Sequence, residues 1–256
     1  MDKENLERRY KVAMEIAMQA RSFLLENENL GIQISQKAEN DYVTLSDKEC
    51  ERLIISRIQK EFPGDSIFGE ESGCFGSSAG RWIIDPIDGT MNYYNGFPNY
   101  TVSIGFEDEE GPAIGVVIVA RQDEMFHAMR GAGAYLNGRP IKTNEAIENN
   151  KALAILVPPH RHHELLDAYM VKMRKFYELF TDARSLGSAA CSLCYVAAGR
   201  CAVYYEEYLA LYDIAAGIVI LKEAGGLIEI NKKTDYRIDL LASSKRAFEA
   251  SREIIA

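Results

Sequence analysis

Several features are scarce in this sequence, and each absence excludes a class of protein. The chain has no cluster of Lys and Arg, and its net charge of -9 repels the phosphates of nucleic acid. No apolar run reaches the length that a membrane span needs. The five cysteines are an odd number scattered along the chain, which favours reduced, buried thiols over a disulfide framework. We therefore expect neither a nucleic-acid partner nor a membrane.

The sequence also lacks any segment that would separate it into independent domains. No Pro/Gly/Ser-rich linker, internal repeat or low-complexity tract divides the 256 residues, whose 47% hydrophobic and 26% charged content is typical of a globular protein. The start of the chain is charged and lacks the form of a targeting signal. We expect one domain over residues 1–256 with two closely packed lobes, roughly 1–150 and 151–256, in the cytoplasm.

The hydrophobic periodicity predicts both helices and strands. Apolar residues recur at helical spacing from Leu6 to Leu24, and a capping box that begins at Ser46 predicts the start of a second helix. From Ser66 to about Leu156, turn signals between short apolar runs predict one antiparallel-rich sheet. The second half alternates, with strands predicted at 152–157, 202–205 and 227–230 and helices at 164–176, 188–198, 214–224 and 246–255. This pattern predicts a layered α/β or α+β sandwich.

The most informative stretch covers residues 82–90. A short apolar strand leads into Asp85, Pro86 fixes the direction of the chain, and Asp88 can fold back beside Asp85 in the turn that follows. Two carboxylates so close together would repel each other, and one would take up a proton, unless a multivalent cation lay between them. Oxygen ligands alone favour Mg²⁺ or Mn²⁺ over Zn²⁺.

The residues after this pair suit a phosphate group. Gly89 permits a close approach of the backbone, and residues 90–92 can begin a helix whose free N–H groups accept an anion. The hydroxyl of Thr90 is well placed to orient a water molecule. A simpler interpretation, in which Asp85 and Asp88 only cap a turn, is the alternative for this motif alone.

Two further acidic segments favour the metal interpretation. Glu70 and Glu71 follow a predicted strand, and because adjacent side chains point apart, only one of them should face the metals. Asp213 lies in the first turn of an apolar helix rich in small residues, where capping is the simpler explanation. Those small residues would, however, let the helix approach a sheet closely enough for Asp213 to share a metal.

At these residues the sequence resembles a known family. The segments Gly69-Glu70-Glu71-Ser72, Asp85-Pro86-Ile87-Asp88-Gly89-Thr90 and Tyr212-Asp213-Ile214-Ala215-Ala216-Gly217 resemble, in order and spacing, the three signatures of the inositol monophosphatase family. The resemblance extends over nearly the whole chain. It implies an α+β fold, a layered αβαβα sandwich whose active site lies between a larger antiparallel sheet and a smaller one.

The resemblance also implies the ligands of two to three Mg²⁺ ions, with Mn²⁺ as a substitute. Glu70, Asp85 and the main-chain carbonyl of Ile87 would hold the first ion. Asp85, Asp88 and Asp213 would hold the second, and a third, looser ion would lie near Glu70.

The same resemblance assigns the remaining roles. Glu70 and Thr90 would orient and deprotonate a water molecule, with Asp47 supporting Thr90. The water would attack the phosphorus in line, and no covalent enzyme intermediate is needed. The implied substrate contacts are Asp88, Gly89, Thr90, Gly187, Ser188, Ala189, Glu206 and Asp213.

The substrate is a weaker inference than the reaction. Glu206 lies seven residues before Asp213, the spacing at which inositol phosphatases of the family place a Glu that binds inositol hydroxyls. This position favours a polyol phosphate, myo-inositol 1-phosphate above all, although a solvated Glu beside Glu207 is the alternative. Relatives in the superfamily hydrolyse fructose 1,6-bisphosphate, histidinol phosphate or 3'-phosphoadenosine 5'-phosphate, and none of these is excluded.

One residue departs from the family pattern. Tyr212 stands where the family usually has Trp beside the metal-binding Asp, which changes the pocket wall and leaves the carboxylates intact. Sensitivity to Li⁺ and a homodimer are further implications of the resemblance.

Other functions compete with this one. Haloacid-dehalogenase-type phosphatases also have a strand that ends in acidic residues before Gly-Thr, but their two Asp residues are two apart, whereas Asp85 and Asp88 are three apart. Cys191 and Cys194 have C-x-x-C spacing without a second pair, and their apolar helix indicates packing. A regulatory protein that keeps the fold and binds a partner is the alternative from another class, and the intact acidic ligands argue against it.

Overall fold

The computed structural model describes residues 1–28, 34–38, 41–159, 162–234 and 237–256. Its helices are α1 (Lys3–Asn27), α2 (Leu45–Glu61), α3 (Thr90–Tyr94), α4 (Leu166–Leu179), α5 (Ala189–Ala197), α6 (Leu211–Glu223) and α7 (Lys245–Ile255). Within these ranges, no helix is both long and apolar enough to cross a membrane.

The strands fall into a hairpin and two sheets. They are β1 (Ile34–Ala38), β2 (Asp41–Thr44), β3 (Ser66–Gly69), β4 (Gly73–Phe75), β5 (Arg81–Asp88), β6 (Thr101–Asp108), β7 (Gly111–Val119), β8 (Glu124–Met129), β9 (Ala134–Leu136), β10 (Arg139–Ile141), β11 (Leu153–Val157), β12 (Asp182–Arg184), β13 (Val203–Leu209), β14 (Leu227–Lys232) and β15 (Ile238–Ser243). β1 and β2 pair as the hairpin.

The large sheet has eight strands in the order β10-β9-β8-β7-β6-β5-β3-β4. All of its neighbours are antiparallel except β3 and β5, which are parallel. The small sheet has five strands in the order β12-β11-β13-β15-β14, and β11 runs parallel to both of its neighbours. The antiparallel-rich first sheet that the sequence predicts is therefore confirmed.

Helices cover both faces of each sheet. α1 and α2 pack on β5, β6 and β7 from outside, while α5 and α6 lie between the two sheets. α4 and α7 cover the outer face of the small sheet. The layers therefore follow the order αβαβα, and the predicted α+β sandwich is confirmed. The two-lobe division near residue 150 stays a prediction.

Small residues let α6 lie almost on the large sheet. A Cβ added at Gly115 would lie 2.1 Å from the carbonyl oxygen of Ala216, and one at Gly105 would lie 3.1 Å from the Cβ of Ala215. No larger side chain fits in these gaps without a shift of the backbone. This close contact delivers the beginning of α6, with Asp213, to the edge of the sheet.

One prediction about local structure is wrong, and two strands of the small sheet, β12 and β15, were not predicted. The capping box of α2 is formed by Thr44 and Asp47 and not by a pair that begins at Ser46, because Thr44 is the residue with extended backbone angles before the helix. The apolar run of β15 is short, and periodicity alone does not separate a short buried strand from part of a helix.

Candidate active site

A bulge in β5 brings Asp85 and Asp88 together. The strand does not end at Asp85 as expected but continues to Asp88. Asp85 pairs with Ser103 and Asp88 with Thr101, so β5 has one more residue than β6 between these pairs. On a regular strand, side chains three residues apart point to opposite faces of the sheet. The extra residue of a bulge turns the second side chain to the face of the first. The bulge is therefore the reason that both carboxylates reach one cavity.

Glu70 reaches the same place from the neighbouring strand. β3 runs parallel to β5, and the amide of Glu70 donates to the carbonyl of Ile84 at 3.1 Å, directly before Asp85. Glu71 does not line the cavity, and its amide donates to the carboxylate of Glu51 at 3.0 Å. A Cβ at Gly69 would overlap Glu51, so the glycine makes room for this arrangement.

Asp213 enters from the helix layer. It is the third residue of α6, and its carboxylate accepts a hydrogen bond from the amide of Ala210 at 2.6 Å, as a helix cap does. The capping role suggested by the sequence is thus present. Asp213 also lines the cavity that Glu70 and Asp85 line, so the two roles coexist.

The cavity has a volume of about 430 Å³ and lies between the two sheets. Most of the predicted site residues line it, namely Glu70, Asp85, Ile87, Asp88, Gly89, Thr90, Gly187, Ser188, Ala189, Glu206 and Asp213. Asp47 does not line it and is connected through Thr90. Residues that are up to 143 positions apart in the sequence thus share one pocket wall.

Like charges crowd around Asp85. The residue is only 2% exposed, and burial raises the pKa of its carboxyl well above the ordinary value. The negative charges of Glu70, Asp88 and Asp213 raise this pKa further. A buried carboxylate with three acidic neighbours is unstable at neutral pH without a compensating positive charge.

The donor set fits a hard divalent cation. It consists of carboxylate oxygens and the carbonyl of Ile87, without nitrogen or sulfur, which suits Mg²⁺. The side chains are not drawn into a closed coordination shell, since in the described part of the chain no group of three or more His, Cys, Asp or Glu has the spacing of a bound metal.

Thr90 links the cavity to Asp47. Its hydroxyl lies 3.1 Å from Oδ1 of Asp47 and 3.3 Å from the carbonyl oxygen of Ile87. The other oxygen of Asp47 accepts hydrogen bonds from the amide and the hydroxyl of Thr44. Burial raises the pKa of Asp47 to about 6, so this carboxyl is ionised at pH 7 and is an acceptor for Thr90.

Asp88 holds the beginning of α5. Its carboxylate accepts hydrogen bonds from the amides of Ala189 and Ala190, at 3.2 and 2.7 Å, and from the hydroxyl of Ser188. Thr101 adds a fourth at 3.3 Å. Burial still raises the pKa of Asp88, although these four donors oppose the rise. The large sheet is thereby joined to the helix that follows the predicted substrate contacts.

Glu206 lies inside the cavity wall and not in solvent. It is 9% exposed, and the hydroxyl of Tyr204 donates to its Oε2 at 2.5 Å. The alternative of a solvated glutamate is therefore wrong. Its neighbour Glu207 is paired with Lys172 at 2.6 Å.

Sequence reasoning missed the far wall of the cavity. It consists of residues 157–159, His162, Glu207, Tyr208, Leu209 and Arg237. Tyr208 has a φ of 69°, which is unusual for a residue with a side chain, and it lies in a second bulge between Glu206 and Leu209. Its ring is 4.1 Å from that of His162. Nothing local in the sequence signals this bulge.

The residue that departs from the family pattern, Tyr212, is half-buried beside the acidic cluster. The ring of Tyr212 meets that of Phe68 edge-on at 5.9 Å. Burial, with the charges of Asp213 and Glu70, raises the pKa of its hydroxyl above the ordinary value. Tyr212 is therefore neutral at physiological pH and forms part of the wall of the acidic cluster.

The layered fold and the acidic cavity are those of a phosphatase that acts on small phosphate esters. A sequence model described as the Inositol monophosphatase family matches residues 5–255, and the chain belongs to this family. Members of the family are generally Mg²⁺-dependent, in agreement with the oxygen-only donor set.

Individual relatives carry several names. The Nus factor SuhB of Pasteurella multocida (strain Pm70) is 39% identical over 203 residues, which cover 77% of this chain and 74% of that protein. The fructose-1,6-bisphosphatase/inositol-1-monophosphatase of Aquifex aeolicus (strain VF5) is 36% identical over 249 residues, or 94% and 93% of the two chains. The solved structure of the extragenic suppressor protein suhB from Bartonella henselae matches with a TM-score of 0.89 at 30% identity, covering 95% of this chain and 97% of that one.

Proposed function

We propose that this protein is a Mg²⁺-dependent phosphomonoesterase that hydrolyses a small polyol phosphate, with myo-inositol 1-phosphate as the preferred substrate. The observation that carries the proposal is the cluster of Glu70, Asp85, Asp88 and Asp213 on one cavity, next to Gly89 and Thr90. Asp85 and Asp88 are buried, closely spaced carboxylates are stabilised by a cation, and a bound cation attracts a phosphate ester.

The proposed metal ligands are those that the resemblance to the family implies, and all of them line the cavity. Glu70, Asp85 and the carbonyl of Ile87 would hold one Mg²⁺, and Asp85, Asp88 and Asp213 would hold a second. A third, looser ion would lie near Glu70. Bound there, Mg²⁺ would neutralise the phosphate charge and make a water molecule easier to deprotonate.

Thr90 and Asp47 form the pair that prepares the attacking water. The hydroxyl of Thr90 donates its proton to Asp47, so its lone pairs remain available to accept a proton from water. Glu70 would accept from the same water on the opposite side. The water would then attack the phosphorus in line, and the alcohol leaves with a proton from solvent.

Both ends of the substrate have polar partners in the cavity. The amides of Gly89 and Thr90 would bind the phosphate, and Gly89 has the φ of 95° that this tight turn requires. Glu206 would accept hydrogen bonds from polyol hydroxyls. The remaining substrate contacts would come from Asp88, Gly187, Ser188, Ala189 and Asp213.

A panel of phosphate esters tests this proposal. Phosphate release is measured with inositol 1-phosphate, fructose 1,6-bisphosphate, histidinol phosphate and 3'-phosphoadenosine 5'-phosphate, with Mg²⁺, with Mn²⁺ and with a chelator. We expect Mg²⁺-dependent turnover that is fastest with inositol 1-phosphate and is inhibited by Li⁺. Faster turnover of fructose 1,6-bisphosphate would instead assign the activity that the name of the Aquifex aeolicus relative includes.

A second function is supported by the relatives named Nus factor SuhB. Such a protein would keep the fold and bind a macromolecular partner through its surface. Folded protein that hydrolyses no ester of the panel with either metal ion would favour this candidate over the phosphatase.

We further propose that the protein works as a cytoplasmic homodimer without a nucleic-acid ligand. The net charge of -9 supports the last point. Light scattering after size-exclusion chromatography measures the mass, and a mass near 28.7 kDa, that of one chain, would overturn the dimer.

A further inference from the structure

Asn92 connects two segments that carry opposite walls of the cavity. Its side-chain Nδ2 donates to the carbonyl of Asn99 at 2.5 Å and to the carbonyl of Leu186 at 2.7 Å. Asn99 precedes β6 of the large sheet, and Leu186 lies between β12 of the small sheet and α5. We call residues 89–92 the phosphate loop and residues 185–188 the substrate loop. One NH₂ group therefore joins the two loops.

The backbones of the two loops touch where Asn92 joins them. A Cβ at Gly89 would lie 2.9 Å from the carbonyl oxygen of Gly187, and a Cβ at Gly187 would lie 3.0 Å from Nδ2 of Asn92. Both glycines have positive φ, 95° and 69°. The two glycines thus allow the backbones of the two loops to touch. The side-chain amide of Asn92 occupies the space that a side chain at position 187 would need, and it stabilises this contact.

The hydrogen-bonding capacity of Asn92 shows how it acts. A side-chain amide has two N–H donors, and both are used by the carbonyls of Asn99 and Leu186. The NH₂ group therefore has no donor left for a substrate, although Asn92 lines the cavity. Any effect of this group on the reaction therefore passes through the two segments that it binds, at Asn99 and at Leu186 of the substrate loop.

We propose that Asn92 is a positioning residue that holds the substrate loop against the phosphate loop. It thereby fixes Gly187 and Ser188, which face the polyol, relative to Gly89 and Thr90, which face the phosphate. This inference rests on the proposed function for its effect on turnover. Its effect on the loop itself does not depend on any activity.

We call the two hydrogen bonds from Asn92 to Asn99 and Leu186 the bridge. Two variants test it, and a third is the matched control. Asn92→Ala removes both donors, and Asn92→Asp keeps the size of the side chain but turns a carboxylate towards two carbonyl oxygens, which it repels. Asn95 directly follows the same short helix and is exposed, and its side chain donates to the carbonyl of Met91 at 2.8 Å. Asn95→Ala therefore removes a similar amide without touching the substrate loop.

Hydrogen–deuterium exchange of peptides that cover residues 185–192 measures how often the substrate loop opens, and it requires no substrate. We expect both Asn92 variants to exchange about tenfold faster there than the wild type, with unchanged exchange in α1. kcat/KM should fall about 10²-fold, and the rise in Tm on adding Mg²⁺ should be kept. Asn95→Ala should match the wild type in all three measurements.

Each other outcome counts against the bridge or against the proposed function separately. Unchanged exchange at residues 185–192 overturns the bridge, whether or not turnover falls, and so does faster exchange that is equal in α1. If the wild type hydrolyses no ester, the proposed function fails, and the exchange experiment still decides the role of Asn92. If Asn92→Ala does not fold, the isosteric Asn92→Asp gives the answer.

Discussion

The carboxylate of Asp88 accepts a hydrogen bond from the amide of Ala190 at 2.7 Å, across a separation of 102 residues. That amide is one of the free donors at the start of α5, so a residue of the large sheet caps a helix that lies between the sheets. Asp85, three residues earlier, accepts a hydrogen bond from the amide of Ile87 at 3.0 Å and otherwise faces acidic neighbours. The two carboxylates of the motif therefore differ in what they contribute to stability.

Neutralising these two residues should have different effects on the metal-free protein. Asp85→Asn removes a buried carboxyl group whose ionised form is destabilised by burial and by Glu70, Asp88 and Asp213, so we expect the free energy of unfolding to rise. Asp88→Asn also removes a buried charge, but its new NH₂ group faces the N–H and O–H donors of α5 and Thr101. We therefore expect Asp88→Asn to raise the free energy of unfolding less than Asp85→Asn does, or to lower it.

Urea unfolding in the presence of a chelator measures both variants. Thr101→Val is the control, since it removes only one weak bond to Asp88. A larger gain for Asp88→Asn than for Asp85→Asn would contradict the contrast that the hydrogen bonds predict.

The same two substitutions should abolish the response to metal. We expect phosphate release to fall about 10²- to 10³-fold, because each variant loses a ligand that stabilises charge in the transition state. The rise in Tm that Mg²⁺ gives the wild type should be lost as well. Glu71→Gln is the matched control, since Glu71 is adjacent to Glu70 but does not line the cavity. Full activity of Asp85→Asn would disprove the metal assignment.

Removing the hydroxyl of Thr90 should lower kcat without weakening Mg²⁺ binding. Thr90→Val loses the group that would pass a proton from water to Asp47. We therefore expect kcat to fall about 10²- to 10⁴-fold. Thr90→Ser keeps the hydroxyl and should recover most of the rate. Steady-state kinetics and the Mg²⁺-induced shift in Tm test this, and an equal loss in both variants would rule out a role for the hydroxyl.

Asp47 and Asp108 should give opposite pH dependences of stability. Burial raises the pKa of Asp47 to about 6, above its ordinary value of 3.8, so its ionisation costs stability. The hydrogen bonds from Arg130, at 2.8 and 3.0 Å, lower the pKa of Asp108 below 3.8, so its ionisation stabilises the fold.

The sign for each residue follows from the two pKa values. Between about pH 4 and 6 the folded protein holds more protons at Asp47 than the unfolded chain does, so stability relative to Asp47→Asn falls as the pH rises. Stability relative to Asp108→Asn is fully present above about pH 4 and is lost as the pH falls through the lowered pKa of Asp108. Urea unfolding from pH 3 to 7 in chelator compares the variants, and slopes of equal sign would refute this prediction.

Glu206 should affect polyol substrates and not simple esters. Glu206→Gln weakens an acceptor for hydroxyls, so kcat/KM for inositol 1-phosphate should fall about tenfold or more. p-Nitrophenyl phosphate has no such hydroxyls, and its hydrolysis should change little. Glu207→Gln is the neighbouring control, because Glu207 is already paired with Lys172. An equal loss for both substrates would indicate a structural role for Glu206.

The sequence by itself determined which residues form the local motifs of the candidate active site. Residues 85–90 place two carboxylates, a glycine and a hydroxyl within six positions, and such local spacing survives without knowledge of the fold. The helices and most strands also followed from periodicity, since burial of one face imposes a period of 3.6 or 2 on the sequence. Exceptions arose where local rules compete, as at Thr44 and Ser46, which both suit a helix cap.

Only the tertiary structure decided how these residues meet. The bulge that turns Asp88 to the face of Asp85 depends on pairing with β6, and the donors of α5 reach Asp88 from a hundred positions away. The bridge of Asn92 and the bulge at Tyr208 likewise depend on contacts between distant segments. Such contacts leave no periodic trace in the sequence, because each joins two positions whose separation is set by the path of the whole chain.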